Sequence, residues 1–135
     1  MTTRYERDVF RYVEAELYAY PWRKQEIERL RADIIDATPE RLAAVGAEGV
    51  GDPTLSRVMR LLTSKRLERL VEHYEAITRV YERLEPEKKR LVEMRYWQRE
   101  LTDLGIYRRL HVSRRTYFYW RGQILLAIAR EMGLL

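Results

Sequence analysis

The chain of 135 residues contains no cysteine. That absence removes disulfide frameworks, thiolate metal sites and thiol nucleophiles at once. There are only two histidines, His73 and His111. His73 reads as lying on the exposed side of a helical heptad and His111 in a turn, neither with His, Asp or Glu at ligand spacing, so no metal and no other cofactor is expected. No run of about 18 apolar residues occurs, and the first eight residues, Met1 to Asp8, are polar and charged where a secretory leader is apolar. Neither secretion nor a membrane partner is expected.

Glycine and proline are also scarce, at six and four, and they are unevenly placed. Pro39, Gly46, Gly49, Gly51 and Pro53 fall within fifteen residues that lack a sustained period. Gly46-Ala47-Glu48-Gly49-Val50-Gly51 matches neither glycine-rich phosphate motif, and no Lys-Ser/Thr follows it. Residues 39–52 therefore read as a flexible connector.

What the chain has in quantity is charge, 35% of residues, beside 46% apolar residues. This balance suits long, partly exposed helices better than a sandwich or a membrane span. Val9, Tyr12, Val13, Leu17 and Tyr20 recur at helical steps on one face. Pro21 interrupts the run, and Trp22, Ile27, Leu30 and Ile34 form a second apolar face after it, so residues 1–38 read as a helical pair, either antiparallel or one kinked rod. Asp52-Pro53 is a helix start, with a side-chain acceptor followed by a residue whose missing N–H costs nothing there. A long central helix, 53–85, follows. Leu67, Leu70, Tyr74, Ile77, Tyr81 and Leu84 keep the spacing of a coiled-coil seam, whereas Leu55, Met59 and Leu62 lie in another phase. The rod thus serves either two neighbours, one of them another helix or the second copy of a homodimer, or a single monomeric core.

The positive excess is local. Residues 1–85 carry 15 Lys/Arg and 16 Asp/Glu, and residues 86–135 carry 11 and 5. A basic C-terminal third on a near-neutral body points to a polyanion, most often nucleic acid. Glu85-Pro86-Glu87 opens a helix that carries Leu91, Val92, Met94, Tyr96 and Trp97. Thr102 caps a short helix with Leu104 and Ile106 inward, and Ser113 caps a longer one from Arg114 to about Met132. Three helices with short turns, the last basic at its start, is the layout of a DNA-reading helix-turn-helix, here spanning 86–135. Tyr107 stands where a small residue normally permits a close crossing, and His111 stands where positive φ is common, a conformation His tolerates. With Tyr117, Trp120 and Ile124 inward, the outer face shows Arg114, Arg115, Phe118, Tyr119 and Gln123, suited to guanine, thymine-methyl and adenine contacts. Thr116, Arg108, Arg109 and Arg121 flank that face as phosphate contacts, and Ser113 at the cap belongs to the same DNA-binding set. The fold expected is all-α: N-terminal helical pair, Gly-rich connector, long central helix and C-terminal helix-turn-helix domain.

Several segments in order carry a family resemblance. They are the Tyr20-Pro21 break, Gln25 to Arg31 with Asp33-Ile34-Ile35, the Gly-rich connector, Asp52-Pro53-Thr54, and the ending from Leu110-His111-Val112-Ser113 to Gly133-Leu134. Together they resemble the RinA/ArpU-like regulators of bacteriophages and prophages of Gram-positive bacteria, small activators of late genes for DNA packaging, morphogenesis and lysis. The last fifty residues also resemble the promoter-reading helix-turn-helix region of sigma factors. The resemblance implies a transcriptional activator in the bacterial host cytoplasm, on the nucleoid, whose partners are double-stranded DNA of a late promoter region and host RNA polymerase.

Nothing in the sequence assembles a catalytic constellation. Glu14 and Glu16 do not share a helix face, Glu72 and Glu75 read as solvated surface, and the chain is not expected to be an enzyme. Two other functions compete with activation. One is a packaging component similar to a small terminase subunit, which would assemble as a ring of many copies. The other is a sigma-like or antitermination factor that binds RNA polymerase.

Overall fold

The computed structural model describes residues 2–36 and 53–135. The connector read at 39–52, and the cap read at Asp52, lie outside the described residues. Those described form five α-helices, one π-helical segment and no strand. They are α1 (Arg4–Asp36), α2 (Pro53–Arg83), α3 (Pro86–Val92), a π-helical segment (Glu93–Gln98), α4 (Asp103–Arg109) and α5 (Arg114–Glu131). Among the described residues no helix is long and apolar enough to cross a membrane.

Of the two arrangements open for residues 1–38, an antiparallel pair or one rod, the structure has a single helix, because α1 continues through Pro21. An interior proline cannot donate to the carbonyl four residues back, here that of Leu17. That carbonyl instead accepts a hydrogen bond from the Trp97 indole N–H at 3.1 Å. A tertiary donor thus takes the place of the missing helical one.

The chain gathers into two compact units, residues 1–21 with 73–135, and residues 22–72, which cut across the segments read from the sequence. In the first unit one buried cluster holds Val9, Val13 and Leu17 of α1, Ile77 and Val80 of α2, and Leu91 and Val92 of α3. Met94 and Tyr96 of the π-helical segment, Ile106 of α4 and Leu110 beyond it, and Tyr117, Ile124, Leu125, Ile128 and Ala129 of α5 complete it. The three C-terminal helices therefore share a core with the start of α1 and the end of α2. In the coiled-coil-like seam, Ile77 is buried in this core, with Tyr81 and Leu84 packed against it. Tyr74 stacks on Tyr20 at 4.7 Å between centroids. That stretch of the seam serves the chain's own interior.

Several positions of this unit depart from the sequence reading, among them His73, Leu104 and Trp120. His73 is buried rather than exposed, and its Nδ1 lies 2.7 Å from the Tyr12 hydroxyl. Leu104, expected inward, is 43% exposed, because a helix of seven residues turns only one narrow face to the core and Ile106 occupies it. Trp120 is half-buried at the edge of the cluster, its ring 6.0 Å from the Lys88 ammonium.

In the second unit Ile27 is buried, and Glu26 receives Arg23 at 2.5 Å and Arg66 at 3.2 Å. Trp22, expected on an apolar face, is 69% exposed. Leu55, Val58, Met59 and Leu62 of α2 are also exposed. Their steps of three and four residues put them on one side of the helix.

Candidate nucleic-acid interface

The turn between α4 and α5 follows from its residues. Thr102 caps α4, its hydroxyl oxygen accepting from the Gly105 N–H at 3.2 Å. The helix ends at Leu110, which is buried, and His111 adopts φ 58°. The His111 N–H then donates to the Arg108 carbonyl at 3.2 Å and the Val112 N–H to the Tyr107 carbonyl at 3.1 Å. This pair of bonds is the Schellman ending, with a left-handed residue just past the helix. Val112 packs against the core. Ser113 restarts the helix, its Oγ accepting from the Thr116 N–H at 3.1 Å. Tyr107, read as too large for a close crossing, lies with its ring 5.8 Å from that of Tyr117 and tilted by 48°.

On α5, Arg114, Arg115, Tyr119 and Gln123 are exposed, and Tyr119 is 64% exposed. Arg108 and Arg109 are exposed in the last turn of α4. Phe118 differs from its sequence reading. Its ring is half-buried against the core, edge-on to Tyr117 at 5.1 Å, with the Arg114 guanidinium 5.2 Å above it. It therefore orients Arg114 by a cation–π contact. The Thr116 hydroxyl is engaged with Ser113 at 3.0 Å as part of the cap. Gln123 is tethered too, its Oε1 accepting from Lys88 Nζ at 3.3 Å.

Arg121 turns away from this face. Its Nη2 lies 2.6 Å from Glu14 Oε2, and its Nε donates to the Tyr96 hydroxyl at 3.1 Å. That hydroxyl in turn donates to Glu14 at 3.0 Å. Burial works against the Arg121 charge, but the bonds to Glu14 and Tyr96 outweigh it and hold its pKa above the usual arginine value. The helical period explains the misplacement: residue 121 follows Tyr117 by four and precedes Ile124 and Leu125 by three and four, which puts it beside the buried stripe. A second set of polar contacts surrounds Arg95. Its guanidinium donates to the Tyr18 hydroxyl and forms an ion pair with Asp103 at 3.0 Å. Asp103 also accepts from the Tyr117 hydroxyl at 2.6 Å. Glu14, Tyr18, Arg95 and Asp103 are contacts that sequence reading missed. Only the polar positions beside the apolar faces of α1 and the π-helical segment hinted at them.

These contacts make the unit alkali-sensitive. The bond to Glu93 at 2.5 Å, followed by burial, pushes the Tyr81 hydroxyl up to about 12. Burial raises Tyr96 and Tyr117 further, Tyr117 with help from Asp103. A pKa raised by folding gives stability that is complete below the unfolded value of about 10 and is lost as pH rises through the folded one. Stability should therefore fall from about pH 10 to 12 and beyond. Phenolate absorbance, followed with helical circular dichroism, should show a late group of tyrosines that ionises as the helices melt. A single wave near pH 10 for all ten tyrosines, with the helices intact, would contradict this.

The glycines of the described residues differ in what explains them. A Cβ on Gly105 would meet Leu101 Cβ at 3.4 Å, and Gly133 has φ 77°. Gly122, exposed in the middle of α5, has nothing within 4 Å of a Cβ. A glycine inside a helix costs about 1 kcal/mol relative to alanine.

The family model that matches this chain is described as Protein of unknown function (DUF722), and it covers residues 21–130. No curated protein and no solved structure matches the chain.

Proposed function

The chain belongs to this family of proteins of unknown function, DUF722, and we propose that it is a sequence-specific DNA-binding transcriptional activator with a sigma-like helix-turn-helix. The observation that carries the proposal is the α4–α5 turn. The Schellman ending at His111 and the Ser113 cap fix where α4 ends and α5 begins, and the exposed face of α5 carries Arg114, Arg115 and Tyr119 without an acidic residue between Arg114 and Arg130. Such a helix suits the major groove, with guanidinium groups on guanine edges or phosphates and an aromatic ring on sugar or thymine methyl. Arg108 and Arg109 at the end of α4 suit the flanking backbone. With the resemblance to RinA/ArpU-like regulators, the reading is of a phage or prophage late-gene activator acting in the bacterial host cytoplasm. Its partners are promoter DNA and RNA polymerase, and no catalytic activity is part of the role.

Fluorescence anisotropy of the full chain, on a late promoter duplex and on a scrambled duplex at two salt concentrations, tests this. Arg115→Ala and Tyr119→Ala should each weaken binding to the promoter duplex by about 1–3 kcal/mol, whereas Arg108→Ala should weaken both duplexes alike. Equal affinity of the unaltered chain for the two duplexes would overturn sequence specificity.

The exposed stripe of Leu55, Val58, Met59 and Leu62 favours a second reading, in which the chain assembles as a packaging component. An apolar stripe of that kind marks an association surface. Light scattering separates the two: a large ring supports packaging, and a monomer or dimer supports activation.

A further inference from the structure

We propose that Gly122 and Lys88 together seat the sugar–phosphate backbone of a DNA duplex, Gly122 by letting the backbone of α5 come into direct contact and Lys88 by neutralising a phosphate. The proposal rests on the DNA-binding reading above and adds to it the place where the duplex comes nearest. Glycine is the least favoured residue in a helix interior after proline. It is kept where a turn demands positive φ or where something must approach the backbone closely. Gly133 meets the first condition with φ 77°, and at Gly105 a Cβ would come into contact with the Leu101 side chain at 3.4 Å. Among the described residues Gly122 meets neither: its φ is not positive, and a Cβ would stand in open space. The bare backbone there is open to a partner.

The surroundings indicate the chemistry of that occupant. Arg115 and Tyr119 precede Gly122 by seven and three residues, so all three share one exposed face of α5. Lys88 stands next to this face, its Nζ 3.3 Å from Gln123 Oε1 and 6.0 Å from the Trp120 ring. Among the described residues no carboxylate forms an ion pair with Lys88, so its charge is available to an anion. Gln123, tethered by this bond, positions Lys88 rather than reading a base. A long guanidinium and a phenol ring that reach outward, then a residue without a side chain followed by the glutamine that moors an ammonium, suit a helix whose first two turns enter the groove. Its third turn then passes against the strand.

The test measures thermal unfolding, and binding of the full chain to a mixed-sequence DNA duplex over a salt series. Gly122→Ala should raise the melting temperature and lower affinity about tenfold, and Gly122→Leu should lower affinity more. Lys88→Gln should reduce the slope of log affinity against log salt by about one, the release of one counterion. If the unaltered chain binds the duplex and Gly122→Ala binds it equally well, or Lys88→Gln leaves the slope unchanged, the proposal is overturned while the DNA reading stands. If the unaltered chain binds no duplex at all, both fall.

Discussion

Replacing Glu14 by alanine is expected to destabilise the protein by about 2–3 kcal/mol, since removing one partner of a largely buried ion pair leaves the other charged and unpaired. Glu14 and Arg121 side chains are 23% and 20% exposed, and the Tyr96 hydroxyl completes the set. The carboxylate joins α1 to both the π-helical segment and α5, so its loss strips a charge partner from Arg121 and an acceptor from Tyr96. Chemical denaturation monitored by circular dichroism reads the effect. Replacing the pair together, Glu14→Gln with Arg121→Met, should cost less than either single change, because no lone charge is left behind. A loss below about 0.5 kcal/mol for Glu14→Ala would show the triad to be a solvated surface contact. Arg121→Ala should cost stability while leaving the salt dependence of DNA binding unchanged, which separates this role from the phosphate contact read from the sequence.

Pro21→Ala is expected to stabilise the protein by about 1–2 kcal/mol, less than the roughly 3 kcal/mol proline costs inside a helix, because Trp97 already satisfies the Leu17 carbonyl. In the parent chain Trp97→Phe removes that donor and leaves the carbonyl unpaired, at a cost of about 1–3 kcal/mol. With alanine at position 21 the carbonyl regains a helical donor. Trp97→Phe should then cost about 1 kcal/mol less than it does in the parent chain. Trp97 also stacks on Tyr20 at 5.1 Å and packs against Tyr81 at 4.9 Å, and those contacts persist with phenylalanine in reduced form. The double-mutant cycle isolates the hydrogen bond from this packing. Strict additivity of the two substitutions would rule out the compensation.

The parts legible in the sequence are those set by local chemistry. The caps at Thr102 and Ser113 and the positive φ at His111 each depend on a few consecutive residues, and they stand as read. So do Val9, Val13 and Leu17, Leu91 and Val92, and Tyr117, Ile124 and Ile128 as inward positions, since helical period alone sorts them. Failures came where a second element decides. His73 read as exposed because its own helix placed it off the seam, but the Tyr12 hydroxyl covers it from α1. Arg121 read as a phosphate contact because it flanks the exposed face of α5, but a carboxylate 107 residues earlier claims it. Trp22 read as part of an apolar face from period alone, yet it is exposed.

The sequence by itself determined an all-helical chain, the order of most helix starts, and a basic last helix entered through a capped turn. These rest on period, caps and charge, which act over one or two turns. Only the tertiary structure decided that α1 runs unbroken through Pro21, that the three C-terminal helices close their core on α1 and α2, and which arginines remain outside. Those outcomes depend on a donor, an acceptor or an apolar surface supplied from far along the chain. A helical pattern shows which residues share a face, and the partners packed against that face decide what each of them does.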